Sequence, residues 1–124
     1  MSDLAIILFA HGARDPEWAA PFGVIRGKLQ AARPNARVEL AFLDFMTPTL
    51  ETAVVQSAQS GVRRVVVVPL FMAQGGHLKQ DLPLLVDKIR RQQPQLKIEV
   101  MPALGDAPEI LQAIADWVLR GADA

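Results

Sequence analysis

The sequence predicts a three-layer α/β/α sandwich built on a four-stranded parallel sheet. Four short apolar runs alternate with four longer stretches of helical periodicity, which is typical of a parallel sheet with crossover helices. Runs one and three are almost wholly apolar, as central strands are, whereas runs two and four carry charged residues, as edge strands do. The strand order 2-1-3-4 satisfies this difference. The runs are LAIILFA (4–10), VELAFL (38–43), RVVVVPLF (64–71) and LKIEVM (96–101).

The helices are predicted from apolar stripes and from residues that favour helix ends. Thr47-Pro48 is expected to open the second helix and Gly61 to close it, while Asp106, with Glu109 three residues later, is expected to open the fourth. The stripes of the first and last helices are interpreted as core. Their members are Trp18, Phe22, Ile25 and Leu29 in the first helix, and Ile110, Leu111, Ile114, Trp117 and Val118 in the last.

Pro83 limits the predicted extent of the third helix. Proline is tolerated in the first turn of a helix, where its missing N–H is not needed. Residues 72–81 are therefore expected to form a loop or a separate short turn, and this segment contains His77.

Length and composition exclude several classes of protein. The 124 residues are expected to form one domain, 1–124, with a frayed tail at 119–124. Thirteen basic and thirteen acidic side chains cancel, so no global positive field favours nucleic acid. Cysteine is absent, which excludes disulfides and thiolate ligands. The first apolar run is too short to span a bilayer and has no basic flank, so we expect no membrane segment and a cytoplasmic location.

Both histidines of the chain follow predicted central strands. His11 comes after strand one and His77 after strand three, and an open α/β sheet with this strand order has its binding crevice between those two carboxyl ends. We therefore predict that the two imidazoles meet there as neutral metal ligands or proton acceptors. Two histidines alone are a weak signal, since each could be a satisfied loop residue, but their shared position favours function.

Other polar residues adjoin these segments. Asp44, just past strand two, is the best carboxylate candidate for the crevice, while Asp15 and Asp81 are favoured as helix caps. Arg14 and Lys79 could receive anionic substrate groups, although exposed charges on loops are more often only solvated.

Glycines accompany both histidines. Gly12 is equally well explained as a turn residue, whereas the adjacent Gly75 and Gly76 indicate that backbone approaches another group closely. Their N–H groups could receive carboxylates or phosphates at a helix N-terminus. The spacing matches neither a P-loop nor a dinucleotide fingerprint, which disfavours nucleotide binding.

Three segments together resemble a known family. HGARDP after the first strand, VPLFMAQGGHLKQDLP around the third and ELAFLDFMTPTL around the second are similar to the class II chelatases of tetrapyrrole synthesis, specifically the short CbiX/SirB-type sirohydrochlorin chelatases. The resemblance covers the whole chain. It implies the chelatase-like fold as a single lobe and, because larger relatives have two lobes facing a cleft, a homodimer with the cleft between subunits.

The resemblance also implies an activity and its residues. A divalent metal, Co²⁺ before Ni²⁺ or Fe²⁺, would be inserted as a substrate into sirohydrochlorin on the way to cobalamin or siroheme, with no permanently bound cofactor. His11 and His77 carry over as metal ligands and catalytic residues. Asp44, where the family more often has Glu, would be an auxiliary base or ligand, and Ala13 replaces the usual serine of the first motif. The residues available for substrate carboxylates are Arg14, Gly75, Gly76 and Lys79, and those for an apolar wall are Phe45, Met46, Leu70, Phe71 and Met72.

Two alternatives belong to other functional classes. A histidine phosphatase or mutase needs an arginine immediately before the first histidine, and this chain has Ala10 there. A non-catalytic metal- or tetrapyrrole-binding module would use the same residues as the chelatase, and only acceleration of metal insertion distinguishes the two.

Overall fold

A computed structural model describes residues 3–124, within which four parallel strands form one sheet with helices on both faces. The sheet order β2-β1-β3-β4 confirms the predicted order. Short 3-10 helices at Pro16–Ala19 and Leu104–Asp106 precede the first and last α-helices. The strands are β1 (Leu4–Ala10), β2 (Arg37–Phe42), β3 (Arg64–Pro69) and β4 (Lys97–Val100), and the helices are α1 (Ala20–Ala32), α2 (Leu50–Gln59), α3 (Gly76–Gln92) and α4 (Pro108–Ala122).

The two central strands end side by side. β1 pairs in parallel with both β2 and β3, so that Ala10 lies beside Phe42 and Phe9 lies beside Pro69. The segments that follow β1 and β3 therefore leave the same edge of the sheet, which is where ligands bind in open α/β sheets.

The edge strands carry the charged residues, as predicted. Glu39 lies on β2 and Glu99 on β4, where Glu99 accepts a hydrogen bond of 2.9 Å from Arg64 of β3. This hydrogen bond lowers the pKa of the Glu99 carboxyl. Both side chains of this ion pair are exposed to solvent, so the pair adds little to the stability of the fold.

The packed core lies between the sheet and helices α2 and α3. Because side chains alternate along a strand, Ile7 and Phe9 of β1 and Val65 and Val67 of β3 all point to this face and are buried. The helix residues that meet them are Leu50, Ala53 and Val54 of α2, and Leu78, Leu82, Val86 and Ile89 of α3.

The opposite face of the sheet is covered incompletely. Neither α1 nor α4 contains a buried residue, so the interpretation of their apolar stripes as core is wrong. Trp18 and Phe22 contact each other at 4.9 Å between ring centroids and are half-buried, but Trp117 is 68% exposed. Periodicity identifies an apolar face without showing what covers it.

The second helix begins later than predicted. Thr49, and not Thr47-Pro48, caps α2: its side-chain oxygen accepts a hydrogen bond of 3.2 Å from the backbone N–H of Thr52. Gly61 follows the helix with φ +91°, a conformation that glycine adopts readily, so its predicted role at the end of this helix is confirmed.

The fourth helix also differs at both ends. Asp106 ends the preceding 3-10 helix and does not cap α4, which begins at Pro108. α4 continues to Ala122, so most of the segment expected to fray, 119–124, is helical. No helix within residues 3–124 combines the length and apolarity needed to cross a bilayer.

The third helix begins at Gly76, so the loop or short turn predicted for 72–81 is confirmed over 72–75 and wrong over 76–81. Pro83 lies inside α3, where it removes one backbone hydrogen bond. Leu78 and Leu82 are both buried on the core side of this first part of the helix. We infer that their burial, at about 1.5–3 kcal/mol each, offsets a proline cost of about 3 kcal/mol.

Candidate functional site

β1 carries His11 to the carboxyl edge of the sheet. Its imidazole is exposed but packs edge-on against the ring of Phe71, with 4.5 Å between ring centroids. Phe71 is fully buried and packs in turn against Phe9, at 5.5 Å. This aromatic stack restrains His11 while leaving its ring accessible to a ligand.

The backbone joins Asp44 to His11. The N–H of Asp44 donates to the carbonyl of His11 at 2.9 Å, which continues the pairing of β1 and β2 beyond their ends. Gly12 has φ +88°, and a Cβ at this position would overlap the Asp44 carbonyl oxygen. The glycine of the first motif is therefore needed both for its turn and for this contact.

An aromatic residue in an unusual conformation follows Asp44. Phe45 has φ +64° and its side chain is 62% exposed. The guanidinium carbon of Arg14 lies 5.1 Å from the Phe45 ring centroid, which is cation–π distance. A positive φ at a bulky residue is strained, and such strain is concentrated at functional sites. From the sequence, Phe45 was predicted only as one of several residues available for an apolar wall, because no local pattern indicates its φ.

His77 lies in the first turn of α3 and is exposed. Gly75 is the N-cap residue, and no side chain within residues 3–124 caps this helix end. The first N–H groups of α3 therefore have no partner within the helix. A Cβ at Gly75 or Gly76 would meet no described atom of the chain within 4 Å, so the close approach predicted from these glycines is not to the protein itself.

Gly105 holds the segment between β3 and α3 in place. Its N–H donates to the Phe71 carbonyl at 3.0 Å, and a Cβ here would overlap the Met72 carbonyl oxygen. The segment after β3 that contains Phe71, the residue against which His11 packs, is thus held by the backbone that follows β4. Sequence reasoning missed Gly105, whose only signal is a glycine shortly after strand four.

The remaining predicted polar residues divide between site and structure. Lys79 lines a cavity of about 340 Å³ between α3 and the end of β4. Asp15 caps the first 3-10 helix, accepting a hydrogen bond of 3.0 Å from the Glu17 N–H, as predicted. Asp81 lies inside α3, so its predicted role as a cap is wrong.

The site residues form two groups on one edge of the sheet. His11, Asp44 and Arg14 lie beside the ends of β1 and β2, and Gly75, Gly76, His77 and Lys79 lie at the start of α3, after β3. Across residues 3–124, no three His, Asp or Glu side chains are grouped so as to hold a metal ion. The imidazoles of His11 and His77 are both exposed at this edge.

Comparison with known families and proteins places this geometry in context. The model of the CbiX family matches residues 5–120. Sirohydrochlorin cobaltochelatase of Saccharolobus islandicus is 33% identical over 93% of this chain and 93% of its own length. The protein of the same name from Methanopyrus kandleri is 35% identical, and the match spans 67% of this chain but only 58% of that protein.

Solved structures show the same fold. A CbiX protein of cobalamin (vitamin B12) biosynthesis from Marinobacter aquaeolei superposes with a TM-score of 0.82 and 30% identity over 97% of this chain and 98% of that one. The sirohydrochlorin chelatase SirB from Bacillus subtilis subspecies spizizenii, in complex with cobalt, gives a TM-score of 0.70 and 26% identity, with 94% of this chain matching 49% of SirB. The chain belongs to the CbiX family.

Proposed function

We propose that this protein is a chelatase that inserts a divalent metal ion into sirohydrochlorin, with Co²⁺ as the foremost metal and Ni²⁺ or Fe²⁺ as alternatives. The observation that carries the proposal is the pair of exposed histidines at one edge of the sheet, in a family whose curated relatives are named sirohydrochlorin cobaltochelatase. The reaction joins the free tetrapyrrole to M²⁺ and releases two pyrrole protons. It needs no permanently bound cofactor.

His11 and His77 supply the groups that this reaction needs. A neutral imidazole binds Co²⁺, Ni²⁺ and Fe²⁺, and it also accepts a proton near neutral pH. A metal that must pass to the macrocycle is better served by few protein ligands than by a closed four-ligand site. Asp44, joined to His11 through the backbone, is the proposed auxiliary base.

The carboxylates of the substrate have receptors on both sides of the histidines. Arg14 lies on the β1 side, and Lys79 lies on α3 with the uncapped N–H groups of Gly76 and His77. Guanidinium, ammonium and helix N-terminal N–H groups all stabilise carboxylates. The open space above Gly75 and Gly76 lets a substrate approach this backbone.

We assign Phe45 as the apolar wall for the macrocycle. Its replacement, Phe45→Asn, is expected to raise the KM for sirohydrochlorin about 10-fold, since about 1.4 kcal/mol of aromatic contact is lost. Asparagine tolerates a positive φ, so stability should not fall. Initial rates at varied sirohydrochlorin give the KM, and thermal unfolding gives the stability. Leu84→Asn, an exposed apolar position further along α3, is the control. An unchanged KM in Phe45→Asn would remove the residue from the substrate site.

We further propose a homodimer, in which the cleft lies between two single-domain subunits, acting in the cytoplasm. The support is a comparison of lengths: nearly the whole chain matches 49% of SirB, so two copies correspond in size to one SirB chain. In such a dimer each subunit brings its own His11 and His77 to the cleft.

Absorbance spectroscopy tests the activity directly. Sirohydrochlorin is mixed with Co²⁺, Ni²⁺ or Fe²⁺ in turn, and the spectral change of metal insertion is followed with and without the protein. A protein-dependent acceleration establishes the chelatase and ranks its metals. Tetrapyrrole or metal binding without acceleration would support the non-catalytic binding module instead.

A further inference from the structure

One short segment is shared by the surroundings of both histidines. The spacer segment, residues 70–75, connects β3 to α3, and His77 follows its last residue by two positions. Near the beginning of the spacer, the ring of Phe71 packs edge-on against the imidazole of His11, with 4.5 Å between ring centroids. The same segment therefore contacts one imidazole and leads directly to the other.

The first part of the spacer is anchored to β1 and to the core. The N–H of Leu70 donates to the carbonyl of Phe9 at 2.8 Å, which extends the pairing of β1 with β3 beyond the end of β3. Phe71 is 1% exposed, and its ring packs against that of Phe9 at an angle of 88°. Because close-packed cores leave few voids, Phe71 cannot turn away from His11 without opening the core.

Gly105, in the 3-10 helix that follows β4, holds the spacer through its backbone. Its N–H donates to the Phe71 carbonyl at 3.0 Å, and the space that a Cβ would need is occupied by the Met72 carbonyl oxygen. Gly105 does not have a positive φ, unlike Gly12 and Gly61, so glycine is required here for space and not for its backbone conformation. A larger residue at this position therefore has to displace the spacer.

The rest of the spacer has no comparable anchor. Within the part of the chain that the structure describes, the backbone of residues 72–74 forms no hydrogen bond. Beyond these residues, α3 is fixed again where Leu78 is buried against the core. The spacer is therefore held at two points, by Phe71 with Gly105 at one end and by Leu78 beyond the other. The distance between these two points sets the separation of the two imidazoles.

We propose that Phe71 and Gly105 are positioning residues that keep His11 and His77 at the separation needed to bind a metal ion. Phe71 fixes the His11 ring by direct contact, and Gly105 fixes the spacer on which both imidazoles depend. Replacing a group that supports a metal ligand commonly lowers metal affinity by about 10–100-fold. The inference rests on the proposed metal-binding role of the histidines, but not on metal insertion, so its tests measure ion binding and the surroundings of the imidazoles.

Co²⁺ binding separates the contact with His11 from a general role in the core. Phe71→Leu and Phe9→Leu each break the same aromatic pair at a site that is 1% exposed, but of the two rings only Phe71 contacts His11. We expect Phe71→Leu to raise the dissociation constant for Co²⁺ about 10-fold, measured by isothermal titration calorimetry, and Phe9→Leu to leave it unchanged. Urea unfolding should show similar losses of stability in both variants. Equal rises in the dissociation constant would make Phe71 a core residue only.

Nuclear magnetic resonance of the imidazoles tests the role of Gly105. The chain has two histidines, so the loss of one set of ring signals in His77→Ala assigns both. In the metal-free protein, Phe71→Leu should shift the His11 signals alone, whereas Gly105→Ala should shift those of both histidines. Gly27→Ala on α1, where a Cβ would meet no described atom within 4 Å, is the control and should shift neither.

The two measurements distinguish failure of this inference from failure of the proposed function. Gly105→Ala should raise the dissociation constant for Co²⁺ by about 10–100-fold while circular dichroism retains the signal of the fold. Unmoved imidazole signals or an unchanged Co²⁺ affinity in this variant would overturn the inference. The comparison of the two phenylalanine variants remains decisive for Phe71 whether or not Gly105→Ala folds. A wild-type chain that does not bind Co²⁺ would instead contradict the proposed metal site itself.

Discussion

His77→Ala is expected to lower the rate of metal insertion by about 10²–10⁴-fold, the range typical of losing a positioned proton acceptor. The side chain is exposed, so the free energy of unfolding should change by no more than about 0.5 kcal/mol, as measured by thermal unfolding. His11→Ala should lose activity to a similar degree. Initial rates with Co²⁺ and sirohydrochlorin, followed by absorbance, give the activity of each variant.

The same assay separates the two roles of the imidazole. If His77 binds the metal, raising the Co²⁺ concentration should restore part of the rate of His77→Ala, because the defect is then in KM for the metal. If it accepts the proton, kcat stays low at any metal concentration. Gln80→Ala, also exposed in α3, is the matched control. A marked loss of stability in His77→Ala with little loss of rate would make the histidine a structural residue.

The strand order was predictable because burial leaves a clear mark on composition. β1 and β3 each have a neighbouring strand on both sides, and no charged residue lies in their interiors. Glu39 and Glu99 lie on the edge strands, which contact solvent. The same reasoning placed both histidines at one edge of the sheet. Membership of the CbiX family, predicted from the motifs around them, is confirmed.

The start of α3 was not predictable from the rule on proline alone. Pro83 indicated a late start, but the apolar spacing of Leu78, Leu82, Val86 and Ile89 already carries the helix back through the histidine motif. When the cost of a proline inside a helix opposes the burial of that helix's apolar face, the contribution with the larger free energy determines the structure. This moved His77 from a loop to a helix N-terminus.

Contacts between distant loops escaped prediction for a different reason. Gly105 and Gly12 each lie against a carbonyl oxygen far away in the sequence, and the Phe45 backbone takes a conformation that its residue type disfavours. None of these features has a local pattern. The prediction that the apolar stripes of α1 and α4 are core was wrong for a similar reason. The spacing of apolar residues identifies the stripe, but it does not indicate which surface covers it.

Gly12→Ala is expected to destabilise the fold strongly and to abolish most activity. A left-handed backbone costs an alanine about 1–2 kcal/mol, and here the new Cβ would also overlap the Asp44 carbonyl oxygen. Relief of that overlap has to move either His11 or Asp44, whose backbones are hydrogen-bonded to each other. Urea unfolding measures the stability, and the absorbance assay measures the activity.

Gly61→Ala is the matched control for this experiment. Gly61 has φ +91°, nearly that of Gly12, but a Cβ there would meet no described atom within 4 Å. Gly61→Ala should therefore lose only about 1–2 kcal/mol of unfolding free energy, the cost of a left-handed backbone at alanine. The variant should keep full activity, because Gly61 lies at the end of α2, away from the histidines. The difference between the two variants isolates the contact between Gly12 and Asp44. Equal losses of stability, with activity retained in both, would mean that this contact does not hold His11 in its catalytic position.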